Sequence, residues 1–126
     1  MNSFSTNIEE KTQQNDFFRE VLFTAPHSQL VVMSLLPMED IGVEIHSDGD
    51  QFIRIESGEG KAIVDGQEYI LADGSVVIIP AGAQHNIINT SADNKLKLYT
   101  IYSPAHHAEG TIHKTKAEAL ASEASH

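Results

Sequence analysis

From Phe17 to Tyr102 the chain is a series of short apolar runs broken by turn residues every eight to twelve positions. Phe17–Ala25 and Gln29–Leu36 are rich in β-branched and aromatic residues and are separated by Pro26-His27-Ser28. Gly42–His46 and Gln51–Glu56 flank Ser47-Asp48-Gly49-Asp50, whose residue types favour a tight turn. Lys61–Val64 and Gln67–Leu71 are joined by Asp65-Gly66, a strong hairpin signal because both residues tolerate positive φ. Asp73-Gly74 turns into Val76–Ile79, which Pro80 stops, and His85–Asn89 and Lys95–Tyr102 follow across the loop Thr90–Asn94. Many short, regularly spaced strands predict an all-β sandwich or barrel.

Only the C-terminal tail reads as helix. Thr115 and Glu118 have capping-box spacing, and Ala117, Ala119, Leu120 and Ala121 favour the helical state. The expected organisation is a flexible arm over 1–16, a barrel over 17–104 and a tail with a short helix over 105–126. No internal repeat, low-complexity tract or second domain is visible.

Composition narrows the function classes. The 126 residues fit one domain with its own core. No apolar run is long enough to span a membrane, and the polar start MNSFSTNIEEKTQQND shows no secretory signal. Eight basic against 18 acidic residues give a net charge of −10. Nucleic acid and anionic membranes are therefore not expected as partners, since both require clustered Lys and Arg. Cysteine is absent, which excludes disulfides, thiolate metal sites and thiol nucleophiles. A cytoplasmic location is the default expectation.

Two segments carry candidate chemistry. In the first, Glu44-Ile45-His46-Ser47-Asp48-Gly49-Asp50-Gln51, strand parity projects Glu44 and His46 to one face. The turn after them can return Gln51 beside both. In the second, Pro80 ends a strand and Gly82 permits a sharp turn, so His85 can be aimed from a neighbouring strand.

The second segment resembles the cupin superfamily. Gly74, Pro80, Gly82, His85 and Asn89 fill all five fixed positions of the motif G-x5-P-x-G-x2-H-x3-N. A chance match is on the order of one in 10,000 or rarer. The other family motif, G-x5-H-x-H-x3-4-E-x6-G, matches in part. His46 takes the second histidine position, Gln51 the glutamate position and Gly58 the closing glycine, while Glu44 replaces the first histidine and Met38 the opening glycine. The stretch Asp50-Gln51-Phe52 and the tail from Gly110 to Lys116 are also similar to a group of small cupins labelled mannose-6-phosphate-isomerase-like.

The resemblance implies a double-stranded β-helix, the cupin or jelly-roll barrel, with a metal held by Glu44, His46, Gln51 and His85. Two imidazoles, one carboxylate and one amide oxygen suit Fe(II) or Mn(II), with Ni(II) and Zn(II) as alternatives. It also implies dioxygenase, isomerase, epimerase or decarboxylase chemistry on a small oxygen-bearing molecule. Glu44 would balance charge in the first of these and serve as base in an isomerase or lyase. The rival readings are a non-catalytic module binding metal or a small ligand, and a barrel that has lost its metal. A homodimer is expected, with the arm offering a strand that can swap.

Other residues have plainer readings. Gly58, Gly74, Pro80 and Gly82 are scaffold, and Asn89 bonds at a strand end. Ile53 and Ile55 share the phase of Gln51, and Ile87 and Asn89 that of His85, so these should line the interior; Arg54 should point away. His106 and His107 fall in a loop where exposure is expected. His113 nears the metal only if the tail folds over the mouth, and His27 and His126 have no supporting context.

Overall fold

The computed structural model describes residues 1–124, so His126 lies outside the described residues. A helix, α1 (Ile8–Gln14), precedes ten strands: β1 (Arg19–Thr24), β2 (Gln29–Leu35), β3 (Glu44–Ile45), β4 (Asp50–Ser57), β5 (Gly60–Val64), β6 (Gln67–Leu71), β7 (Val76–Ile79), β8 (Gln84–Asn89), β9 (Leu96–Ser103) and β10 (Ile112–His113). The chain closes with α2 (Lys116–Ala124). The strands form two antiparallel sheets, one ordered β10-β1-β2-β9-β4-β7 and the other β3-β8-β5-β6. This is the all-β barrel that the strand spacing predicts, with the short C-terminal helix in its expected place.

Alternation along each strand separates core from surface. Ile53, Ile55 and Asn89 are fully buried, Ile87 nearly so, and the side chain of Arg54 is 43% exposed beside Glu56, all as parity requires. Val31, Met33, Leu35, Leu96 and Leu98 join Ile53 and Ile55 from the large sheet and meet Ala62, Leu71 and Ile87 from the small one. Burying each such Leu, Ile or Val side chain contributes about 1.5–3 kcal/mol.

The inner face of the large sheet changes character along its length. One rung reads Met33, Leu98 and Ile55; the next reads Val31, Thr100, Ile53 and Val77; the next reads Gln29, Tyr102, Gln51 and Ile79. Polar side chains therefore collect at one end of an otherwise apolar interior.

Two elements escape the periodicity. In α1 the side chain of Asn7 accepts a bond from the Glu10 amide, but the helix sequence IEEKTQQ has no apolar stripe. Its one buried residue is Thr12, whose hydroxyl bonds to the Ile8 carbonyl. The two-residue strand β10 pairs with β1 through Arg19 and Glu20.

Candidate metal centre

Two local devices deliver the candidate side chains to the polar end. Strand β3 pairs with β8 so that Glu44 lies opposite His85. The turn before β8 is held by Asp50, which accepts from the Ala81 amide at 2.9 Å, and by the Gly82 amide donating to the His46 carbonyl at 2.9 Å. Gly82 has φ +88°, which an L side chain rarely adopts, so the turn that aims His85 depends on glycine.

Glu44 and His46 meet as parity predicts, with Glu44 Oε2 3.0 Å from His46 Nε2. The His46 ring centroid is 5.1 Å from that of His85, 5.7 Å from Tyr102 and 4.0 Å from His106. His46 is buried, yet neither ring nitrogen has an aligned hydrogen bond. His85 is buried, and its Nδ1 lies 3.0 Å from the Ala83 carbonyl. A carbonyl only accepts, so Nδ1 carries the proton and Nε2 keeps its lone pair. Metal-binding histidines are commonly oriented this way.

Gln51 is buried on the inner face opposite Tyr102. Its Nε2 donates to Thr100 Oγ1 at 3.0 Å, while its Oε1 is buried without a partner. Asn89 is scaffold: its amide nitrogen lies within bonding distance of the Leu35, Leu36 and Asn94 carbonyls.

The loop after β9 adds a residue that the sequence reading leaves outside. His106 is exposed by area, as expected of a loop, but one of its ring nitrogens lies within 4.8 Å of ligand atoms of both Glu44 and His46. Gln29 fixes this loop. Its Oε1 accepts from the His106 and His107 amides at 3.2 and 3.0 Å, and its Nε2 donates to the His107 carbonyl at 2.7 Å. His107 packs on Tyr102 instead, and His113 pairs with Arg19 rather than joining the cluster.

The local electrostatics follow from burial and from these contacts. Burial works to raise the Glu44 pKa, but the close contact and charge of His46, with Arg19 and His106, hold it below its ordinary value. His106 is lowered by burial and then by His46, and burial pushes Tyr102 well above its usual value, so its hydroxyl stays protonated. The Glu44 carboxylate and the His46 and His106 imidazoles, with the His85 ring beside them, offer donor types that fit a divalent transition metal.

A family profile of the cupin domain matches residues 31–102. The chain belongs to the cupin family. This cupin is 46% identical over 127 residues to the uncharacterized protein YrkC of Bacillus subtilis, covering 95% of this chain and 67% of that protein. It is 49% identical over 112 residues to an uncharacterized protein of Acanthamoeba polyphaga mimivirus, covering 86% of this chain and 70% of the viral one. A crystal structure of a Bacillus halodurans protein shares 42% identity and superposes with a TM-score of 0.93, covering 95% of each chain.

Proposed function

We propose that this cupin binds one divalent transition metal, Fe(II) or Mn(II) before Ni(II) or Zn(II), through Glu44, His46 and His85, with Gln51 or His106 completing the set. The observation that carries this reading is His46, a buried imidazole with both nitrogens lacking aligned partners among a carboxylate and two further imidazoles. Buried polar atoms are otherwise almost always paired. When bound, such an ion polarises an oxygen ligand and lowers the pKa of coordinated water.

The chain's own groups then define the chemistry. Glu44 is held ionised, so it offers either a charge-balancing ligand for dioxygenase-type chemistry or a proton acceptor for isomerase- or lyase-type chemistry. Tyr102 keeps its proton and supplies a donor at the polar rung. Ile53, Ile79 and Ile87 give an apolar wall that excludes water, as in most small-molecule sites. A second reading, a non-catalytic module holding metal or a small ligand, is favoured by the His106 ring that covers His46 at 4.0 Å.

Metal analysis of protein purified without chelators tests the first claim. The wild type should carry close to one ion per chain, and His85→Ala should carry several-fold less. Equal metal content in the two proteins removes the site. Activity screening of the loaded protein with and without oxygen then separates enzyme from binder.

The proposal includes a cytoplasmic homodimer. None of the described helices is long and apolar enough to cross a membrane. Val76 and Ile78 on the sheet-edge strand β7 are exposed, and such an edge is where a second copy can pair. Light scattering should give twice the chain mass; a monomer removes this part.

A further inference from the structure

Arg19 is 3% exposed and takes part in none of the ion pairs among the described residues. It sits on the inner face of β1 opposite Met33, two inward rungs from the Gln29 that anchors the His106–His107 loop. Its Nη1 donates to His113 Nδ1 at 3.2 Å, and the Phe18 ring lies 5.2 Å away. Its Nε is buried without a partner. A guanidinium taken out of water without a counter-ion is costly, and its N–H groups can only donate.

We propose that Arg19 recognises a carboxylate on the small molecule that this barrel binds, through the Nε edge of the guanidinium that His113 leaves free. This rests on reading the Glu44–His46 end of the barrel as the ligand site. The guanidinium contacts His113 on the strand that the tail adds beside β1, and its positive charge acts on Glu44, Tyr102, His106 and His107. Burial and then Arg19 lower the His113 pKa, which favours Nδ1 as the acceptor that fixes the guanidinium plane. The planar fork of arginine matches the two oxygens of a carboxylate in a way that lysine does not. The surroundings sharpen the assignment. A surface with net charge −10 repels anions, and the only other arginine, Arg54, is outward and paired with Glu56. An anionic ligand is therefore favoured at one built position and disfavoured elsewhere.

The test uses acetate and succinate as probes, with inorganic phosphate and glycerol as comparators, titrated calorimetrically into metal-stripped and metal-loaded protein. Wild type should bind the carboxylates in both forms, and Arg19→Gln should weaken that binding tenfold or more while metal content stays unchanged. Arg19→Lys should recover only part of it. Because the chain has two arginines, NMR supplies a readout that needs no variant: carboxylate should shift the Arg19 Nε–H resonance and leave that of Arg54 in place. Equal carboxylate affinity in Arg19→Gln, no carboxylate binding by wild type, or Arg19-dependent binding of phosphate alone each overturns the proposal. If the protein binds no metal but Arg19-dependent carboxylate binding persists, the metal reading fails and this one stands.

Discussion

At the scale of single residues, the site depends on which lone pairs are left free. The backbone fixes His85: with Nδ1 committed to the Ala83 carbonyl, only Nε2 can ligate. Gln51 is fixed by a side chain, since its amide nitrogen faces Thr100 and its oxygen remains free. Replacing Gln51 with Glu keeps that geometry, because the Thr100 hydroxyl can rotate from acceptor to donor. It also exchanges a neutral oxygen for a charged one. Gln51→Glu should therefore tighten metal binding several-fold in a competition titration; weaker binding would mean that position 51 does not touch the ion. That Glu44, His46 and His85 converge was legible in the sequence because parity and a complete motif act over a few residues. His106 was not, since its approach to His46 crosses sixty positions and is set by the Gln29 amide on another strand. Tyr102, in register with Gln51 and followed four residues later by His106, was the available signal.

At the scale of elements, the strands were readable because each alternates and ends at a turn residue, and their bounds shift by only a residue or two in most cases. Helix α1 was not readable because its stability comes from tertiary contact. The segment after it is clamped by Lys97, which bonds to the Asn15 carbonyl and to Asp16 Oδ1 at 2.8 Å, and by Lys95 at 3.0 Å from the same oxygen. Hydrogen bonds from Lys97 and Lys95 and their charges lower the Asp16 pKa from 3.8 to about 2. A carboxylate whose pKa is lower folded than unfolded stabilises above its unfolded value and loses that effect as pH falls through the folded one. The clamp should thus hold from neutral pH down to the unfolded pKa and fail on acidification toward about 2. Asp16→Asn should reproduce that loss at neutral pH. Hydrogen exchange would show it as faster exchange of the α1 amides with β2 and β9 unchanged, and unaltered α1 protection would sink the clamp.

At the scale of the whole molecule, the site lies where the two sheets face each other. Glu44 and His85 belong to the small sheet, Gln51 to the large one, and His106 to the loop leaving β9. An ion held by these groups ties together parts that are otherwise joined through the apolar core, so it binds the folded chain and has no equivalent site in the unfolded one. Linkage then fixes the sign: metal raises stability, by about 2.7 kcal/mol when free metal exceeds Kd a hundredfold. For a domain of this size that corresponds to roughly 10 °C in Tm. Chelation should lower the Tm of wild type by that order, and metal should restore it. His85→Ala, which keeps the fold but loses a ligand, should melt at the same temperature with and without chelator. Two unfolding scans on each protein decide the matter. If chelator leaves the wild-type midpoint unmoved, the convergence of imidazoles at the polar end is a hydrogen-bonding feature of the barrel and not a metal centre.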